Sequence, residues 1–328
     1  MLLDPPQALP NAMYYIYRYL LEVAPKQRAS KAQIIRGLAP STLVPNDAVC
    51  RLSVEAGSRL GLWIEEVGAG RASDGHSDGH EEDQALVVLS PDLLNRSMEE
   101  ISDRTRFRVL LRRHIFAPNL NRGPWLSQDG AYDFTCAIAW LLAQDVSNPP
   151  GTWESTAKPA IPTVQGRQIE QLGNSQEQWL IKNQTRWDPL VRWALFLGLV
   201  GRQVLDAKVI VVPSPVGAVA DALPSVFAKG AKRELTAENF VNALAAELPI
   251  VDRGKYRQEV IAHLTAGTPM PEANQLSSSL SHALLILRQR GDITLEDRAD
   301  APKFGLTNGP PDLIRFSHAR IGGDVVLA

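Results

Sequence analysis

Three helix patterns followed by two strand patterns occur near the start of this chain, and the same order returns near its end. No other feature restricts the fold as strongly. In the first run, Met13, Ile16, Tyr17 and Leu20 repeat at helical spacing behind Asn11, a capping residue type. "SKAQ" then places Ser30 and Gln33 as a capping box ahead of Ile34, Ile35 and Leu38. Asn46, after Pro45, opens a third helix that turns Val49, Leu52, Ala56 and Leu60 inward and closes at Gly61. "LWIEEV" and "ALVVLS" read as strands around the polar loop "GAGRASDGHSDGHEEDQ".

In the second run, Thr236 and an acidic first turn open a helix with Phe240, Val241, Leu244 and Leu248 on one side. "KYRQEVIAHL" is a shorter second helix. Leu276, Leu280, Ala283, Leu284 and Leu287 stripe a third, which ends at Gly291. "DITLED" and "DLIRFSHA" form a hairpin around the turn-rich "RADAPKFGLTNGPP". This is the order of a winged helix, a helix-turn-helix backed by a hairpin. The expectation is a mainly α protein with small β-hairpins, in which two winged-helix (helix-turn-helix) domains, 1–97 and 233–328, flank a helical middle domain, 98–232. The two runs share no strong residue identity, so a duplication is not inferred.

The middle region holds six of the seven tryptophans. "TRFRVLLRRHIF", "GAYDFTCAIAWLLAQ" and "WDPLVRWALFLGL" read as helices with large apolar faces. "NPPGTWESTAKPAIP" reads as a connecting loop, "AKVIVV" as a buried strand and "PVGAVADALPSVF" as a helix begun at a proline.

A net charge of −2 excludes a binder held to nucleic acid by bulk charge, so any such contact must come from a local patch. Two cysteines, Cys50 and Cys136, without partners at zinc spacing, fit a reducing compartment. The opening "MLLDPPQALPN" lacks the pattern of a secretory signal, and the apolar runs are short or interrupted by prolines and charges. The expectation is a cytoplasmic protein with no membrane partner.

Between Glu272 and Asp292 there is no acidic residue. A recognition helix reads DNA chiefly from its N-terminal part through short polar side chains. The candidate DNA-binding set is therefore Asn274, Gln275, Ser277, Ser278, Ser281, His282 and Arg288, with Lys303 from the wing; Ser279 and Arg290 are also read as outward. The competing reading is structural: serine and asparagine start the helix, and Arg288 and Arg290 complement its dipole. Asp297, Asp300 and Asp312 oppose phosphate contacts by Lys303, Arg315 and Arg320.

The first run suits DNA less well, because its third helix mixes Arg51 and Arg59 with Asp47 and Glu55, and its wing carries "SDGHSDGHEED". A protein partner is expected there. Asp74, His76, Asp78, His80, Glu81 and Asp83 are ligand types, but a Gly-rich loop does not preorganise them, and no metal is expected. The arginines of "RTRFRVLLRRH" are spread around their helix, and a solvated face is favoured over a phosphate stripe. No nucleophile elbow, phosphate loop, zinc motif or dinucleotide fingerprint occurs. Asp206 and Lys208 lie beside a strand without a second acid clearly poised next to them. No catalytic residue and no cofactor is expected, and Trp125, Trp140, Trp179, Trp187 and Trp193 are read as core.

"LPNAMYYIYRYLL", "GAYDFTCAIAWLLAQD", "WALFLGL", "LPIVDRGKYRQEV" and "LSSSLSHALLILRQRGDITLEDRADA" together resemble the DpdG proteins. These are encoded in bacterial clusters that place 7-deazaguanine derivatives in DNA and restrict unmodified DNA, as in phage defence. The resemblance runs along most of the chain and carries over no catalytic residue. It implies an accessory role beside enzymes of a modification and restriction system. The expected function is a non-catalytic tandem winged-helix subunit contacting DNA, partner subunits of the defence or modification complex, or both. The alternatives are a protein-interaction adaptor with no DNA contact, and a transcription or replication regulator binding one sequence as a symmetric dimer.

Overall fold

A computed structural model of the chain describes residues 2–3, 8–66, 85–94, 103–153, 163–205, 208–228, 233–265, 268, 270–309 and 313–323. Helices dominate and the strands form small antiparallel sheets, as the sequence patterns predict. Packing divides the chain into two compact units, Met1–Leu120 and Asn121–Ala328.

In the first unit, α1 (Pro10–Arg18) starts at a proline whose fixed φ suits a first helical turn, so Leu9 rather than Asn11 occupies the cap position. Met13, Ile16, Tyr17 and Leu20 are buried as their spacing predicts. A short strand, β1 (Arg28–Ser30), leads into α2 (Lys31–Leu38), whose capping box forms: the Gln33 N–H donates to Ser30 Oγ at 3.1 Å and the Ser30 N–H to Gln33 Oε1 at 2.9 Å. α3 (Ala48–Arg59) begins where Asn46 Oδ1 accepts from the Ala48 N–H at 2.8 Å. Val49, read as inward, is instead exposed on the first turn of α3. β2 (Trp63–Glu66) and β3 (Leu86–Leu89) follow, and β3 lies between the other two in the order β1-β3-β2.

Gly57 fixes the approach of α3 to β2. A Cβ there would lie 1.9 Å from the Trp63 indole, which sits flush on the helix and donates Nε1–H to Val54 O at 2.8 Å. After α4 (Pro91–Leu94), α5 (Asp103–Ile115) lies on α1, with the Phe107 ring stacked on Tyr17 at 5.1 Å. Arg106 and Arg112 on α5 are buried, and Arg106 Nη2 donates to Leu93 O at 3.3 Å. The basic run therefore does not form one solvent-facing stripe. The acidic first wing, Asp74 to Asp83, lies outside the described residues.

The second unit begins with α6 (Tyr132–Leu142), every residue of which is buried, followed by α7 (Val164–Leu172) and α8 (Gln184–Phe196). Trp140 and Trp193 are fully enclosed and Trp179, Trp187 and Trp153 nearly so, which makes the tryptophans core rather than stacking platforms. Trp125, the half-buried one, stacks on His263 with ring centroids 4.0 Å apart. Buried glutamines join the helices: Trp140 Nε1–H donates to Gln171 Oε1 at 2.9 Å, and Gln144 and Gln171 exchange hydrogen bonds.

β4 (Val200–Leu205) and β5 (Lys208–Pro213) form a hairpin with Arg202 opposite Val211. The sequence marks β5 through its β-branched run but not β4, whose Gly201, Arg202 and Gln203 carry no apolar alternation. The chain continues through α9 (Val216–Ala228), β6 (Glu234–Thr236), α10 (Ala237–Glu247), α11 (Lys255–Ala262), α12 (Ser278–Arg290), β7 (Ile293–Glu296), β8 (Phe304–Gly305), β9 (Arg315–Phe316) and β10 (His318–Ile321).

α9 packs on both α10 and α12, as α1 packs on α2 and α3 in the first unit. α11, read as the second helix of the run, packs on α6 instead. β10 lies between β6 and β7, so the sheet order β6-β10-β7 repeats the β1-β3-β2 arrangement of the first unit. In both places the chain runs helix, strand, helix, helix, strand, strand; the second run adds α11 before its last helix and the β8–β9 pair between β7 and β10.

Candidate functional site

α12 is fixed at both ends by its own sequence. Ser277 caps its start by accepting from the Leu280 N–H, and Gly291 ends it at φ 81°, a left-handed conformation that costs glycine little. The acid-free outer positions do not all face outward. Ser277, Ser279 and Ser281 are 4%, 2% and 0% exposed, which corrects their reading as surface groups.

The reason lies at the other end of α6, where terminal carbonyls have no helical partner. Ser279 Oγ donates to Leu142 O at 2.6 Å, and Ser278 Oγ donates to Gln144 O at 3.5 Å while accepting from the Val146 N–H at 3.0 Å. The Ser277 N–H donates to Asp252 Oδ2 at 2.8 Å, and Ser281 Oγ accepts from the Thr307 N–H at 2.9 Å. Three consecutive serines were the signal: one caps α12 and the next two satisfy the end of α6.

The remaining candidates are dispersed. Asn274 is exposed, with its carbonyl accepting from the Gly305 N–H at 2.7 Å; Gln275 is half-buried and donates Nε2–H to Thr307 Oγ1 at 3.3 Å. His282 is half-buried, and burial pushes its pKa down, towards the neutral ring. Arg288 is half-exposed near the far end of α12, followed by the exposed Gln289 and Arg290.

Lys303 forms an ion pair with Asp297, which also takes Arg315 at 3.2 Å. On the adjoining sheet Arg298 and Arg320 reach Glu234 at 2.7 and 3.0 Å and Glu296 at 2.7 and 3.5 Å. Hydrogen bonds from Arg298 and then Arg320 lower the Glu234 carboxyl to about 2, and Lys303 and Arg315 pull Asp297 down as well. These ion pairs join four cations to three carboxylates. A phosphate approaching these cations must compete with carboxylates already in place.

The first unit carries a different surface. A groove of about 430 Å³ runs between α1, α2 and the start of α3, lined by Ala12, Tyr15, Leu38, Val44 and Val49 with no charged side chain. Tyr15 is 60% exposed, Val49 43% and the neighbouring Leu43 79%. The outer side of α3 is mixed in charge: Arg51 is paired with Asp47 at 3.0 Å, while Glu55 and Arg59 are exposed.

A buried polar cluster in the second unit is closed. Arg186 Nη2 meets Asp133 Oδ2 at 2.7 Å with both side chains under a tenth exposed, and Tyr132 donates its hydroxyl to Glu259 Oε2 at 3.3 Å. Burial pushes the neighbouring Cys136 thiol up to about 12, with the Glu259 and Asp133 charges adding to the effect, so it is a protonated thiol and a poor nucleophile. The cavity between these groups is only about 10 Å³. Among the described residues no group of three His, Cys, Asp or Glu is placed to hold a metal ion, and no helix is long and apolar enough to cross a membrane. Asp206 lies outside the described residues.

No curated protein and no solved structure matches the chain. A protein-family model does: the one described as DpdG-like matches residues 1–301, and the chain belongs to the DpdG-like family.

Proposed function

We propose that the protein is a non-catalytic accessory subunit of a bacterial system that places 7-deazaguanine derivatives in DNA and restricts unmodified DNA, and that it is built on two winged-helix modules. The observation that carries the winged-helix reading is the repeated chain order with a repeated sheet order, β1-β3-β2 and β6-β10-β7. Family membership supports the cellular setting. The protonated Cys136 and the closed cluster around it favour a supporting role over chemistry.

In this reading the module of the first unit docks a partner subunit through its uncharged groove. An apolar concavity of this kind receives the apolar face of an amphipathic helix. Tyr15→Glu or Leu43→Glu places a charge on an exposed position without touching the core, and either should abolish co-purification of the partner subunits. Retention of every partner by both variants would refute the docking role.

Direct DNA contact is the second reading, favoured by the acid-free surface from Asn274 to Arg290 and by the cations of the C-terminal wing. Here the carboxylates act as a brake. Asp297→Asn releases Lys303 and Arg315 and should strengthen DNA retention, with a steeper loss on raising salt than in the wild type. Arg290→Glu should weaken it. A protein whose DNA retention responds to neither substitution nor salt is an adaptor without DNA contact.

A further inference from the structure

The second unit contains an open polar groove of about 480 Å³ between α8 and the β4–β5 hairpin, away from the closed cluster at Cys136. Its volume falls in the range of small-ligand sites. Gln184, Asp188 and Arg192 line one wall at successive turns of α8, so a single helix face presents an amide, a carboxylate and a guanidinium in a row. The facing wall is the hairpin, where Arg202 and Val211 are cross-strand partners and Val209 stands two residues before Val211 on the same face.

Arg202 is exposed and forms no ion pair with any described residue. Its position is unlike that of the wing arginines, whose charge is already met by carboxylates. Thr152, on the floor, has a buried hydroxyl with no hydrogen-bond partner among the described residues, so the protein leaves one donor there unused. Trp153 and Trp187 close the base with apolar surface.

The lining thus offers a cationic group, apolar surface and hydrogen-bond acceptors within one groove. A bare anion would use the first and be repelled by Asp188. A ligand joining a phosphate to a heterocycle with N–H donors would use all three. We infer that this groove binds a nucleoside phosphate: Arg202 takes the phosphate oxygens, Val209, Val211 and the tryptophan edges border the sugar and base, and Asp188 and Gln184 accept from the base edge. The same chemistry is offered by a free nucleotide and by one nucleotide of a single strand.

The experiment is equilibrium binding to the full-length protein at low salt, with inorganic phosphate, the four nucleoside monophosphates and a short single-stranded oligonucleotide as separate probes. Saturable binding of a monophosphate or of the strand, stronger than that of inorganic phosphate, is the expected result. Tighter binding of the strand identifies nucleic acid as the source, and equal binding identifies free nucleotide. Arg202→Glu should weaken both by about tenfold or more. Arg202→Gln, a milder change at an exposed hairpin position, should weaken them in the same direction. Asp188→Asn should erase the advantage of the nucleotide over inorganic phosphate. Binding unchanged in Arg202→Glu, a preference for inorganic phosphate, or no saturable binding to either nucleotide probe would overturn the assignment. Neither position lies in the docking groove of the first unit or on α12, so the result is separable from the subunit role proposed above.

Discussion

Asp133 and Arg186 face each other at 2.7 Å inside the second unit, with both side chains under a tenth exposed. Asp133→Asn removes a carboxylate charge 2.7 Å from a buried guanidinium and should cost about 3–5 kcal/mol, read as a lowered urea midpoint with unchanged slope. The Glu234 carboxylate is the solvent-side contrast. Its value of about 2, set by Arg298 and Arg320, lies below the ordinary 4.5. Its contribution to folding is therefore complete above pH 4.5 and lost as the pH falls from there towards 2. Amide protection factors in β6 and β10, taken relative to the intrinsic exchange rate at each pH, should be the same at pH 7 and pH 5 and lower at pH 3, and Glu234→Gln should remove that difference. At this scale the sequence was legible where a residue acts on its near neighbours, as in the Ser30–Gln33 box. It was silent on Arg186, whose partner lies fifty-three positions away.

Helices announced themselves through apolar spacing and strands did so less often. α1, α3, α10 and α12 are legible from their stripes because each buries one face. β1 and β6, three residues each, are too short to show alternation, yet they complete both sheets. The orientation of α12 was the main misreading. A run of serines at a helix start looks the same whether it faces solvent or another helix end, and only the unsatisfied carbonyls of α6 decide between them. Ser279→Ala should cost about 1–3 kcal/mol, because Leu142 O is left buried without a donor; thermal unfolding of the full chain measures it. At the other sheet, Gly57→Ala should cost about 1–3 kcal/mol through overpacking against Trp63, visible as a lowered Tm and a shifted indole emission.

Gly57 lies in the first compact unit and Asp133 in the second. The costs of Gly57→Ala and Asp133→Asn should then add to within about 0.5 kcal/mol in the double variant. The near-neutral total charge, read from the sequence as excluding bulk attraction to nucleic acid, has a local counterpart: Arg298 and Arg315 near the C-terminal hairpin are met by carboxylates. What the sequence did not reveal at this scale is that α9 belongs with α10 and α12, since its mostly apolar pattern marks burial without saying against what. The join between the leading end of α12 and the trailing end of α6 has a mechanical corollary. A torque applied to the C-terminal hairpin enters the tryptophan-filled interior through short hydroxyl tethers rather than through a slack linker, so the hairpin behaves as a rigid handle on that body and not as a swinging arm.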